Sequence, residues 1–291
     1  MPGLSKSNRK TLRIFASGSL DSSNRGNSAI NCSNIDFILS FNMHTMAKLH
    51  IGLSGFAYKE WQGEGRFYPP DMKQVDYFRY YASRFHAMEA DGTWYKMPAT
   101  AAVEKWIAET TQGFKFSPKM HRKVTHFAKL KPESIDALKF FLKRLEPLEN
   151  ADRLGGILLQ LPPYLKRDDE LLSAFLEEIP KRETLPWCLE FRSKSWHDPE
   201  VEAILAKHNV AWVAGDTDED DAQRRDTAGH VYARLRKTDY SEEQLKDWAS
   251  YFACKVAEGK DCYVYCKHED AEEPWVWADR IRNLVSQQVN A

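Results

Sequence analysis

The sequence is short of cysteine, of long apolar runs and of net charge. Its 291 residues hold five cysteines, Cys32, Cys188, Cys254, Cys262 and Cys266. An odd number without paired spacing argues against a disulfide framework and for a reducing compartment. No stretch approaches the roughly 20 apolar residues of a membrane span. A cytoplasmic protein without a membrane partner is therefore expected. Lys and Arg number 41 against 42 acids, a net charge of −1, so no overall basic field advertises nucleic-acid binding. A nucleotide-cofactor motif is missing too. Gly52 and Gly55 do not make the phosphate-loop fingerprint, and Gly63 and Gly65 come too late after the first strand. Tight metal-ligand spacing of the His-Glu-x-x-His kind does not occur.

What is present suits a globular protein: 43% hydrophobic and 29% charged residues, with nine tryptophans. Residues 1–45 are rich in Ser, Asn and Arg and poor in acid, with little amphipathic period. They read as a disordered extension, or as a misassigned start upstream of Met43 or Met46. Residues 46–291 read as one domain in which strand-like and helix-like segments alternate. Strands are expected at 48–54, 86–91, 114–120, 154–161, 185–192, 210–216, 230–236 and 261–267. Helices are expected at 71–85, 100–111, 132–148, 168–179, 199–207, 241–258 and 275–289. The polar segment 217–229 shows no helical pattern. Eight strands, each followed by a helix or a helix-sized connection, predict a single (β/α)₈ barrel with parallel strands and outer helices.

The stretch from Leu185 to Trp196 organises this reading. Trp187, Leu189 and Phe191 share one face; Cys188, Glu190 and Arg192 share the other. A mid-chain parallel strand is buried on both sides, so a charged pair at its C-terminal end points into the site. The same parity on the other strands selects Ser54, Glu89, Asp91, Lys119, Gln160, Asp216, Arg234 and Arg236. The structural alternative is a buried ion-pair layer plugging the barrel, a costly arrangement because each charge loses its water.

These residue types limit the chemistry. Arg192, Arg234, Arg236 and Lys119 form a cationic cluster suited to phosphate or carboxylate, and a desolvated lysine suits proton transfer or Schiff-base formation. Glu89 and Glu190 are candidate acid and base, which with Lys119 make the catalytic set. Tyr58, Trp61, Trp94, Tyr95 and Trp196 sit in loops at the expected mouth, where they could stack on a ligand or roof the barrel. His126, Gln160 and Asp216 complete the expected binding set, since a buried strand has little reason to carry Gln unless its amide is used. A divalent metal on His121, His126, Glu89, Asp91, His197 or His268 is possible but not favoured. The closely spaced Cys262 and Cys266 read as small buried side chains.

Several motifs together resemble one family. Ile51-Gly52-Leu53-Ser54-Gly55-Phe56-Ala57-Tyr58-Lys59-Glu60-Trp61 and Phe67-Tyr68-Pro69 form an opening signature. Met88-Glu89, Thr93-Trp94-Tyr95 and Pro98 follow, then Phe114-Lys115-Phe116-Ser117-Pro118-Lys119 with Thr125-His126. Leu158-Leu159-Gln160-Leu161-Pro162-Pro163 and Glu190-Phe191-Arg192 with Trp196 complete the set. From residue 48 to about 290 the chain resembles domain-of-unknown-function family 72, the YecE-like proteins. The resemblance implies the (β/α)₈ fold with the shared polar residues at one end, and it brings no established reaction. Arg234-Leu235-Arg236-Lys237 stands where the family commonly has Arg-Leu-His-Gly. Cys266-Lys267-His268 stands where it commonly has Phe-Asn-Asn. Both departures make the mouth more cationic. The expected function is a hydrolase or lyase acting on a small anionic or phosphorylated substrate. The alternatives are a nucleic-acid-binding, endonuclease-IV-like barrel, or a non-catalytic metabolite binder.

Overall fold

A computed structural model of the chain describes residues 47–267 and 273–289. The expectations for residues 1–45, and those for Cys32, Met43, Met46 and His268, lie outside the described residues. The architecture is α/β with parallel sheets. In chain order the elements are β1 (Leu49–Ser54), α1 (Tyr77–Arg84), β2 (Ala87–Ala90), α2 (Thr100–Ala108), β3 (Lys115–Pro118), α3 (Ser134–Asn150), β4 (Ile157–Gln160), α4 (Asp169–Glu178), β5 (Trp187–Glu190), α5 (Pro199–Lys207), β6 (Ala211–Trp212), β7 (Ala214–Gly215), β8 (His230–Leu235), α6 (Glu242–Ala257), β9 (Asp261–Cys266) and α7 (Pro274–Val289).

Every expected strand has a counterpart, most of them shorter. The expected strand 210–216 is split at Val213 into β6 and β7. The strands form a six-stranded sheet of order β3-β2-β1-β9-β8-β7 and a three-stranded sheet of order β4-β5-β6. Two isolated parallel bridges, Phe116 to Leu154 and Lys119 to Leu158, connect β3 to the β4 segment. At the other division the Val213 N–H donates to the Leu189 carbonyl at 3.0 Å.

The two faces of the strands carry different cores. One face packs with the helices in a large apolar cluster that includes Leu53, Met88, Phe116, Leu159 and Leu189. The opposite face holds a smaller cluster of Ala87, Leu158, Cys188, Ala211, Val213, Tyr232, Tyr263 and Tyr265. Two residues further along the same parity lie Glu89, Gln160, Glu190 and Arg234. Alternation thus lays an apolar floor beneath a polar layer at the C-terminal ends of the strands. The close contact of β1 with β2 depends on Gly52. A Cβ there would sit 1.9 Å from the Ala87 carbonyl oxygen. In the space left, the Tyr81 hydroxyl accepts from the Leu53 N–H and donates to the Ala87 carbonyl, both at 2.8 Å.

Helix starts follow their capping chemistry. Asp198 accepts from the Glu200 N–H ahead of Pro199, and Ser241 with Gln244 forms a reciprocal capping box on α6. Segment 217–229, where no helix is expected, is non-helical. It is sewn to the strand before it: the Thr227 hydroxyl accepts from the Trp212 N–H at 2.8 Å and donates to the Val210 carbonyl at 2.7 Å. Arg225 stacks 4.4 Å over the Trp212 ring.

Candidate active site at the C-terminal ends of the strands

Arg234, at the end of β8, is the hub. It is 1% exposed, and one terminal nitrogen, Nη1, donates to Glu190 Oε2 while the other, Nη2, donates to Glu89 Oε1, both at 2.8 Å. Glu89, at 0% exposure, is fully engaged: Ser54 Oγ donates to Oε1 at 2.5 Å and the Tyr232 hydroxyl to Oε2 at 2.8 Å. Strand register brings these residues together, because Ser54 pairs with Glu89 and Gln160 with Glu190.

Glu190 is the second buried carboxylate. Its Oε1 lies 2.9 Å from Arg192 Nε and 3.5 Å from Arg236 Nη2. Burial pushes its carboxyl pKa up, but Arg234, Arg192, Arg236 and Lys119 outweigh that and hold it at about 2. Both expected acid–base residues are therefore committed. Both Glu89 oxygens accept hydrogen bonds, and Glu190 is held ionised by the guanidinium groups around it. In this geometry both contact guanidinium groups, Glu89 that of Arg234 and Glu190 those of Arg234, Arg192 and Arg236.

The open edge of the layer is formed by other side chains. Lys119, just past β3, donates from Nζ to Asp91 Oδ1 at 2.9 Å. Asp91 is 3.8 Å from Arg234 Nη2 and 4.0 Å from Lys267 Nζ. Burial raises the Asp91 pKa, yet Lys119, Lys267 and Arg234 together bring it below the ordinary carboxylate value. The side chains of Arg192 and Lys267 are 27% and 23% exposed, those of Arg236 and Asp91 each 15%. Five cationic side chains thus surround Glu89, Asp91 and Glu190. Arg236 and Lys267, at the two departures from the family pattern, each lie on one of these carboxylates.

Around this edge Trp94 makes a partial wall. Lys119 lies 5.4 Å above its ring and Arg122 5.7 Å, and the His126 ring meets it edge-on at 4.9 Å. Burial and Lys119 push the His126 pKa down. The Thr93 hydroxyl lies 2.7 Å from the carbonyls of both Ala90 and Lys119 and ties the β2 and β3 ends together. Gln160 is half-buried at the end of β4, opposite Glu190.

Four expected binding residues stand elsewhere or do another job. Trp61 is 0% exposed among Tyr58, Phe67 and Trp275. Trp196 is also 0% exposed, stacked on Phe191 with its indole N–H donating to the Leu165 carbonyl. Both are core residues in these positions. Asp216 is buried, and its Oδ1 accepts from the Arg236 N–H at 2.8 Å and the Tyr240 hydroxyl at 2.7 Å. Burial raises its pKa; it anchors the segment that carries Arg236. Tyr58 donates to the Ser54 carbonyl at 3.1 Å and packs on Trp61. Tyr95 remains at the surface, 62% exposed. Asp91 and Ser54, which strand parity selects without a role, take part in the layer, and Thr93, Tyr232, Tyr240 and Lys267 join it from outside the expected sets. Parity would have added Tyr232, two positions before Arg234; nothing local marks Thr93 or Tyr240.

Among the described residues no group of three His, Cys, Asp or Glu side chains is placed to hold a metal. His121 accepts from the Lys123 N–H and orders its own loop, while His197 packs on Trp212. A concavity at the opposite end of the strands is lined by Lys48, His50, His86, Thr111 and Arg282. Asp261 is engaged there by the Lys48 N–H and by His50, and no comparable charged layer converges on it.

The family model described as protein of unknown function DUF72 matches residues 50–291. The chain belongs to the DUF72 family. Among DUF72 relatives, UPF0759 protein YunF of Bacillus subtilis (strain 168) is 27% identical over 206 residues, 68% of this chain and 69% of that one. UPF0759 protein YecE of Escherichia coli (strain K12) is 30% identical over 133 residues, 45% of this chain and 44% of that one. The crystal structure of a DUF72 protein from Thermotoga maritima MSB8 superposes with a TM-score of 0.71 at 24% identity, covering 82% of this chain and 99% of that one. That likeness is one of fold. No helix among the described residues is long and apolar enough to cross a membrane.

Proposed function

We propose that this DUF72 protein is a closed (β/α)₈ barrel whose C-terminal mouth binds a small phosphate- or carboxylate-bearing molecule and acts on it as a hydrolase or lyase. Closure is supported by the bridges from β3 to the β4 segment and by the single residue that separates β6 from β7. On this reading the nine strand segments are eight barrel strands. The observation that carries the ligand class is the half-occupied state of Arg192 and Arg236. Both lean on one carboxylate, Glu190, and both keep part of the side chain open to solvent. Arg192 Nε and Glu190 Oε1 meet as an ion pair whose geometry falls short of a hydrogen bond, and Arg236 Nε is buried without a hydrogen-bond partner among the described residues. Carboxylate and phosphate oxygens accept from such forks.

On this reading Asp91 and Lys119, which share one hydrogen bond beside the more exposed side chains of the layer, are the pair that moves a proton. The test is thermal stability with phosphate, phosphorylated sugars and dicarboxylates. Ligand at 100 times its Kd is expected to add about 2.7 kcal/mol. Arg192→Gln and Arg236→Gln are expected to abolish the shift while folding normally. A shift that persists in both variants rejects the site.

A second reading, single-stranded nucleic acid, rests on the rim. Tyr95, Phe127 and Tyr164 are 62%, 66% and 59% exposed on the segments after β2, β3 and β4. Arg122 lies over Phe127 and Trp94, and Lys129 over Tyr164. Such interleaving suits base stacking beside phosphate contacts. This reading requires oligonucleotide binding that weakens steeply with salt and is lost in Phe127→Ser. Absence of binding at low salt removes it.

A further inference from the structure

We propose that Lys119 is a nucleophile that forms an imine with the carbonyl carbon of an aldehyde- or ketone-bearing anion held at the mouth. The proposal rests on the anion-binding reading above and narrows its substrate class to carbonyl compounds. It starts from a contrast between the two buried lysines of the described residues. Lys255, 5% exposed, lies between two carboxylates, Asp226 and Glu258, that lock its ammonium in place. Lys119, 7% exposed, has one carboxylate, Asp91. That carboxylate is shared with Arg234 and Lys267, so its negative charge is divided among three cations. A desolvated lysine beside other cations is the arrangement that frees an amine for attack. Burial, outweighing Asp91, pushes the Lys119 pKa below the ordinary lysine value, whereas the Lys255 pKa is raised.

The surroundings supply what the step requires. Trp94 covers one side of the ammonium at 5.4 Å. The Thr93 hydroxyl holds the backbone carbonyl of Lys119 in place. Arg192 and Arg236 approach Glu190 on the neighbouring part of the same polar layer, where an anionic group would dock.

The atoms balance without an external oxidant or reductant. Asp91 takes one proton from the ammonium, and the freed nitrogen pair attacks the carbonyl carbon. The C=O π pair moves to oxygen, which collects that proton from Asp91. Asp91 then relays a second nitrogen proton to the same oxygen. It leaves as water while the nitrogen pair closes the C=N bond. Ammonium plus carbonyl gives one protonated imine and one water. The cation so formed on carbon is an electron sink for cleaving an adjacent bond, which is lyase chemistry.

The test uses the full chain with glyoxylate or pyridoxal 5′-phosphate as the probe and sodium cyanoborohydride to reduce any imine. Peptide mass mapping reads the modified lysines. The secondary amine is expected on Lys119 at least about tenfold faster than on the exposed Lys194 and Lys246. Asp91→Asn is expected to slow it several-fold. In Lys119→Arg, with a native circular dichroism spectrum, the adduct is expected to vanish from that peptide. Excess inorganic phosphate is expected to protect Lys119 and none of the surface lysines. Modification of Lys119 no faster than of Lys194 overturns the proposal. A phosphate-induced rise in Tm with Lys119 unmodified rejects the imine and leaves the anion site standing. Rapid modification that phosphate does not block supports the nucleophile and rejects the anion site.

Discussion

At the scale of single residues, Arg234 is the one cation that joins the two buried glutamates of the polar layer. Arg234 neutralises Glu89 and Glu190, and none of the three has water to fall back on. Arg234→Met is therefore expected to cost about 3–5 kcal/mol in urea unfolding, since it removes the ion-pair partner of the buried Glu89 and one of the three guanidinium groups on Glu190. A change near 1 kcal/mol, the size found for exposed pairs, would show that water reaches them. Glu190 gives a pH signature. Its folded pKa, about 2, lies below the ordinary glutamate value near 4.3. Its contribution to stability is thus present above that ordinary value and is lost as pH falls through about 2. Glu190→Gln is expected to be less stable at neutral pH and to show a flatter stability profile from about pH 4.5 down to 2, read by denaturant midpoints. The membership of this layer was legible in the sequence, because strand period alone places Glu89, Glu190 and Arg234 on one face. Which carboxylate would be caged was not. That depends on cross-strand distances, such as Ser54 to Glu89, and on Tyr232 rising from the floor below. The aromatic residues misled for a related reason. Trp61 and Trp196 occupy loops and read as rim, but each loop folds back and buries its indole.

At the scale of elements, the caps and the helix faces were readable and the strand ends were not. Asp198-Pro199 and Ser241 with Gln244 start α5 and α6 where their chemistry dictates. Strand 154–161 contracts to Ile157–Gln160 because Leu154 makes only an isolated bridge, with Gly155 and Gly156 following it. Segment 217–229 shows why a stretch without periodicity need not be loose. Where a helix would normally cover the strand, one hydroxyl does the fastening. Thr227→Val leaves the buried Trp212 N–H and Val210 carbonyl without partners. The expected loss is about 1–3 kcal/mol, with faster amide exchange at Trp212. Unchanged exchange there would mean the strap is held by Arg225 on Trp212 and by Asp226 on Lys255 and Lys260.

At the scale of the whole molecule, the question is whether the two sheets behave as one closed barrel. The ladders of β9 with β1 and with β8 run nearly the full length of the strands, whereas β3 meets the β4 segment through isolated bridges. That seam is bridged by backbone bonds from Phe116 to Arg153, Gly155 to Phe116 and Met120 to Leu158. It also depends on the small residues that start the segment. A Cβ on Gly156 would stand 2.5 Å from the Tyr232 ring and 2.9 Å from Cys188 Sγ. Tyr232 belongs to β8, in the other sheet, so this contact crosses from one sheet to the other. Overpacking of a filled interior costs typically 1–3 kcal/mol. Gly156→Ala is expected to lose about that much, and to lose less in a Tyr232→Leu background, because the smaller side chain leaves room for the methyl group. Additive losses in the double-mutant cycle would mean that β4 and β8 do not share an interior, and the closed barrel would fall with them. Coupling between the two positions would place the seam under the same packing constraint as the long ladders. The polar layer above Tyr232 would then be a continuous ring, with Arg234 bridging the two sheets through Glu89 and Glu190.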